Sequence, residues 1–256
     1  MHVDVLIDPF DGRWEDLRDA AVLAEASGID GLWMYDHLAG SVHRAGHVLE
    51  CWTTLSALAG AVPRLMLGPL VLNVANRDAG TLAVMAATFQ EVSGGRLLLG
   101  VGAGGGAGTP YAAEQYGLGR EVPGDRRRRG DVADTVATLR SVWTGEVGGV
   151  SGYLTPEPAP PVIVGGFGPK MAELAGRLGN GINCPPSRIR QLVPIALDAH
   201  AAAGGSLDQF TVTTSANATG SDLDRLHAAG VDRAIVMIRP PYLAATQRLV
   251  AALGSR

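Results

Sequence analysis

At 256 residues, 46% of them apolar and 18% charged, with a formal net charge of −4, the chain can bury a large core in one or two domains. The charge argues against a nucleic-acid surface, since the longest basic run is only Arg126, Arg127, Arg128 and Arg129. The two cysteines, Cys51 and Cys184, have no zinc spacing, no leader pattern opens the chain, and no apolar run reaches spanning length, so a cytoplasmic protein without membrane partners is expected.

Residues 3–7 read as a short buried strand ending at Asp8-Pro9, and 14–27 as a helix stopped by Gly28. A second strand, 31–35, leads into a polar loop with Asp36, His37, His43 and His47. Residues 51–62 are helical, 65–71 strand, 80–92 helical, and 97–101 strand. A glycine-rich loop follows, and no good helical pattern starts until about Arg126; the helix then runs over 126–143. After a Pro/Gly-rich connector over 145–161 come strand 162–165, a helix opening at Pro169 and running over 170–178, strand 181–184 and helix 187–203. Strand 210–215, helix 221–229, strand 234–238 and helix 242–253 complete the pattern.

Eight strand-then-helix units of about 30 residues, with no dividing linker, predict one (β/α)8 barrel over residues 1–256. In such a barrel the chemistry sits where strands end. The candidates are therefore Asp8; Asp36 and His37; Asn73, Asn76 and Arg77; the loop from Gly102; Gly165 to Lys170; Asn183 and Cys184; Ser215 and Asn217; and Arg239.

The most distinctive stretch runs Gly-Gly-Arg-Leu-Leu-Leu-Gly-Val-Gly-Ala-Gly-Gly-Gly-Ala-Gly over 94–108. Gly100, Gly102 and Gly105 satisfy G-x-G-x-x-G, with Asp125 in the place of a dinucleotide fold's ribose acid. That fingerprint needs a helix to open directly on the loop. Gly108-Thr109-Pro110 instead extends it, and the dinucleotide reading is rejected.

Tyr35-Asp36-His37, Leu67-Gly68-Pro69-Leu70-Val71-Leu72-Asn73, Gly94-Gly95-Arg96 through Gly104, and Val164-Gly165-Gly166-Phe167-Gly168-Pro169 together resemble the luciferase-like flavin and deazaflavin oxidoreductase family. Within it, the pattern is most similar to the branch that uses coenzyme F420, with FMN as the alternative cofactor. The resemblance covers about residues 3–184. It implies a TIM barrel, commonly a homodimer, whose cofactor ring lies in the mouth and whose phosphate tail meets the loops after strands 4 and 5. Carried onto this sequence, the cofactor contacts are Asp36, His37, Leu70, Val71, Asn73, Gly102, Ala103, Gly104, Gly105, Gly165, Gly166, Phe167, Gly168 and Lys170. Asp36 and His37 would also meet a small-molecule substrate, and a cis peptide is expected at Leu70-Val71.

One departure stands out. Where several deazaflavin members carry a glutamate directly after Gly-x-Gly, this chain has Gly105. His37 then becomes the leading proton-transfer group, and Glu114 could supply a carboxylate if the loop folds back. The expected activity is hydride transfer between F420 and a small organic substrate. A flavin-dependent monooxygenase and a catalytically silent ligand-binding barrel are the alternatives. The spacing of His37, His43 and His47, with Gly40 and Gly46 between, does not favour a metal site. The arginine run is expected to project outward or to pair with Asp125, Asp131 or Asp134, and Cys184 and Trp33 to pack in the core.

Overall fold

Eight apolar strands, each too short to stand alone, bury one edge against the next in a computed structural model that describes residues 1–254. We number them β1 (His2–Ile7), β2 (Gly31–Met34), β3 (Met66–Pro69 continuing as Leu72–Asn73), β4 (Leu99–Gly102), β5 (Val162–Gly165), β6 (Gly181–Asn183), β7 (Thr211–Ala216) and β8 (Arg233–Ile238). All neighbouring pairs are parallel. β1 pairs with both β2 and β8, which joins the ends of the chain order. The ring closes between β3 and β4 through Leu67 opposite Leu97 and Leu72 opposite Val101. A closed ring leaves no open sheet edge, which is the (β/α)8 architecture expected from the sequence.

Helices α1 (Trp14–Ala26), α2 (Cys51–Ala61), α3 (Ala79–Val92), α4 (Ala112–Gly117), α5 (Asp125–Val142), α6 (Pro169–Leu178), α7 (Ile189–Ala202), α8 (Gly220–Ala228) and α9 (Tyr242–Gly254) connect the strands. Eight of them form the outer ring, and α4 is an extra turn inside the loop after β4. The sequence predicted no helix between the strand at 97–101 and Arg126, so α4 is a correction: six residues are too few for a periodic signal, although Thr109-Pro110 is a helix-start pattern. A second correction concerns β3, read as one strand over 65–71. Its pairing breaks after Pro69 and resumes at Leu72, and the Leu70-Val71 peptide between them is cis. The connector over 145–161 carries a small hairpin, Glu146–Val147 with Val150–Ser151.

Side chains alternate along each strand, one set facing the helices and the other the barrel interior. The interior is filled by Leu6, Trp33, Leu70, Leu98, Ile163 and Ile235, with Tyr35, Met66 and Val71 packed against them. Beneath that layer Arg233 grips Asp4 with two hydrogen bonds, Nε at 2.7 Å and Nη2 at 2.8 Å, and Trp33 Nε1 donates to Asp4 at 2.7 Å. Burial nonetheless raises the Asp4 pKa, against the pull of Arg233. The interior is thus plugged at its base, and only the end at which the strands finish is available for a ligand. No helix among the described residues is long and apolar enough to cross a membrane.

Candidate active site

Asp36 and His37 leave β2 in opposite directions. The Asp36 carboxylate turns back into the protein and is 6% exposed. It accepts Arg77 Nη1 and Nη2, both at 2.9 Å, the Asn73 amide at 2.9 Å and Asn76 Nδ2 at 3.1 Å. Arg77 also donates to Glu50, whose carboxylate caps α2 by accepting the amides of Trp52 and Thr53. Burial disfavours the Arg77 charge, but Asp36 outweighs it and raises the guanidinium pKa. One buried carboxylate therefore ties the end of β2 to the loop after β3.

His37 projects the other way, into a nest of rings. Its centroid lies 5.2 Å from Phe10, 5.3 Å from Tyr111, 5.5 Å from His43 and 6.2 Å from Tyr35. These rings arrive from the β1 loop, from the residue that follows β2, from a 3-10 turn at Gly40–His43 and from the approach to α4. His37 Nδ1 lies 3.1 Å from Glu114 Oε1, which also accepts the amides of Leu38 at 3.0 Å and Ala39 at 3.2 Å. Burial alone would raise the Glu114 pKa, but the His37 contact and the two amides outweigh it and hold the carboxyl below its ordinary value. An ionised carboxylate only accepts, so Nδ1 carries the proton and donates. Nε2 of His37 has no hydrogen-bond partner among the described residues, and it is the nitrogen left for chemistry.

The loop has folded back. Gly105 sits where a Cβ would lie 2.6 Å from both Thr109 Oγ1 and Tyr111 Cβ, so its place in this loop has no room for an acid. The carboxylate comes instead from α4, nine residues further on. Gln115, next to Glu114, donates from Nε2 to Asn76 Oδ1 at 2.6 Å and so straps α4 to the Asp36 network. Gln115 Oε1 and Arg128 Nε are buried without a protein partner, and both residues line a cavity of about 20 Å³, roughly the size of one water.

Across the mouth the wall is almost free of side chains. Val71 stands over Gly100, Gly102 and Gly165, and a Cβ on Gly102 would lie 2.5 Å, and one on Gly165 2.9 Å, from its methyl groups. Gly104 has φ +65° and would place a Cβ 2.5 Å from the Asn73 amide group, so glycine is required there on two counts. Arg128 braces this loop by donating from Nη1 to the carbonyls of Ala103 at 3.1 Å and Gly104 at 2.7 Å, a role that the arginine run's composition did not signal. Arg127 pairs with Asp131 and Arg128 with Asp125, as the run was expected to do. After β5, Gly168 caps α6 with no side-chain acceptor, and Pro169 takes the first helical position. The amides of Phe167, Gly168 and Lys170 accordingly have no intramolecular acceptor among the described residues. Phe167 and Lys170 are exposed.

Some strand-end candidates belong elsewhere. Cys184 is buried among the helix-facing residues, where burial pushes its thiol up to about 11, so it packs as expected and does not line the mouth. His47 binds the Gly12 carbonyl at 2.9 Å and approaches Asp11, away from His37. No group of three or more potential metal ligands converges among the described residues. Sequence reasoning missed Phe10 and Tyr111; an aromatic in a strand-end loop was the available signal.

Comparison with known proteins agrees with this fold. The model of the family described as luciferase-like monooxygenase matches residues 3–241, well beyond the stretch that carries the sequence motifs. An F420-dependent glucose-6-phosphate dehydrogenase of Beutenbergia cavernae is 31% identical over 188 residues, 69% of this chain and 54% of that protein. The chain thus spans about half the length of the curated relatives it matches. Among solved structures, an F420-dependent secondary alcohol dehydrogenase in complex with an F420-acetone adduct superposes with a TM-score of 0.81 at 16% identity, covering 98% of both chains. A coenzyme F420-dependent tetrahydromethanopterin reductase of Methanopyrus kandleri superposes at 0.72 and 16% identity, over 100% of this chain and 98% of the other.

Proposed function

The chain belongs to the luciferase-like monooxygenase family, and from that premise we propose that it is an oxidoreductase moving a hydride between coenzyme F420 and a small organic substrate in the barrel mouth. The observation that carries the reading is the half-buried Glu114–His37 pair at one side of the mouth, with the glycine-lined strand ends across it. A flat ring needs a flat seat. Gly100, Gly102 and Gly165 leave room for Val71 at the cis peptide, since a Cβ on any of them would lie within 3.2 Å of its methyl groups, and the bulge seated there would carry the ring.

When bound, F420 supplies a ring carbon that gives or takes a hydride. The rest of the work falls to the chain. The amides at the start of α6, helped by the helix dipole and the Lys170 ammonium, would hold the anionic tail, and the Gly102, Ala103, Gly104 and Gly105 backbone would line it. Asn73, pinned by Asp36, would meet the ring from β3. His37 Nε2 would take the proton of a substrate hydroxyl, or return one to a carbonyl oxygen, as the hydride leaves or arrives. Glu114 keeps the proton of the other nitrogen in place and stabilises the imidazolium that forms. Phe10, Tyr35, His43 and Tyr111 flank that ring and hold its plane. Asp36 acts through Arg77, Asn73 and Asn76 and is a positioning residue.

The cofactor is tested by titrating purified, cofactor-free protein with F420 and, in parallel, with FMN, following ligand fluorescence. Saturable quenching by F420, with a dissociation constant in the micromolar range or below, and none by FMN is the expected result. Saturation by FMN alone, or by neither, overturns the reading.

A further inference from the structure

Substrate choice follows from the wall around His37. We propose that the substrate is an uncharged, ring-bearing compound with a reducible C=O or C=C bond, or the corresponding alcohol, and not a phosphorylated sugar; this rests on the reading above that the substrate meets His37 beside the cofactor. The first argument is the lining. Phe10, His43 and Tyr111 stand within 4.3 to 5.7 Å of one another or of His37. Tyr111 and Met237 are 39% and 38% exposed at this rim, although most large apolar side chains of the barrel are buried. Tyr35 links the two halves of the wall, since its hydroxyl lies 3.9 Å from Met237 Sδ. Aromatic rings and a thioether left open beside a proton-transfer group form a lining for an apolar ring.

The second argument is charge. Carboxylates on this side include Asp8 and Glu114, with Asp36 turned inward beside them. The one fixed cation at the strand ends beside them is Arg239, whose Nε donates to Asp8 at 2.9 Å, so its charge is already matched. The residues that end β6 and β7 are neutral, Asn183, which donates to Thr213 Oγ1 at 2.8 Å, and Ser215, and Arg188 from the loop after β6 is turned to the Phe167 carbonyl across the mouth. Lys170 belongs to the opposite loop. A phosphate dianion placed within reach of His37 would face Glu114 and Asp8, while the cation at the end of β8, Arg239, is already paired with Asp8. A neutral ring loses nothing there and gains the area of four aromatic neighbours.

The test is a saturation-transfer NMR titration of the F420-loaded protein with 2-cyclohexen-1-one and, separately, with glucose 6-phosphate. Saturable transfer to the enone, weakened about 10-fold or more by Tyr111→Ala with the F420 dissociation constant changed less than about twofold, is expected. Saturable binding of glucose 6-phosphate overturns the proposal, as does failure of both ligands to bind or an enone signal indifferent to Tyr111→Ala. A protein that takes up no F420 in the preceding titration fails at the cofactor, so the two failures are told apart.

Discussion

Replacing His37 by alanine is expected to lower the single-turnover rate of hydride transfer by about 10²- to 10⁴-fold, the range for loss of a positioned acid or base, while F420 still binds within a few-fold of wild type. The split follows from the geometry. His37 touches Glu114 and four rings, whereas the glycine wall and the start of α6 are built without it. A stopped-flow measurement with cofactor prebound reads the chemical step alone. A rate within threefold of wild type would remove His37 from the chemistry.

Asp36→Ala is expected to act differently and mainly on stability. Its carboxylate satisfies four donors at once, two of them on the Arg77 guanidinium, and Arg77 is largely buried. Removing one partner of a buried pair leaves the other charge uncompensated and costs about 3 to 5 kcal/mol. Glu50 remains beside Arg77 and pulls the expectation to the lower end. At about 2 to 4 °C per kcal/mol for a chain of this size, the melting temperature should fall by roughly 10 °C. The loss should be accompanied by weaker cofactor binding, because Asn73 is held by the same carboxylate. An unchanged melting temperature with a lost chemical step would mean that Asp36 reacts directly and does not position.

The strand ends were legible in the sequence because each barrel strand is a short apolar run closed by a polar residue or glycine. His37, Asp36, Arg77 and the two glycine loops could therefore be placed from the sequence. The roles of the pair were harder to separate, since adjacent residues leave a strand on opposite faces and only the partners tell which face meets the ligand. Glu114 could be named only as a possibility. Its position depends on a loop returning across the mouth, on Tyr111 and Thr109 filling the space at Gly105, and on Gln115 reaching Asn76, contacts with no periodic trace in the sequence. The aromatic nest escaped for the same reason: Phe10, His43 and Tyr111 lie far apart along the chain and meet only through three separate loops.

The claim on which the account turns is that Glu114 and His37 act as one unit, with the carboxylate supplied from α4 because position 105 cannot hold one. The direct measurement is the single-turnover rate of Glu114→Gln, alone and combined with His37→Ala. A carboxylate that serves by orienting an imidazole should cost about 10- to 100-fold when neutralised in the wild-type background. In the His37→Ala background it should then cost almost nothing, because the group it orients is gone. If the two losses multiply, Glu114 acts on its own and the relocated-carboxylate account is wrong.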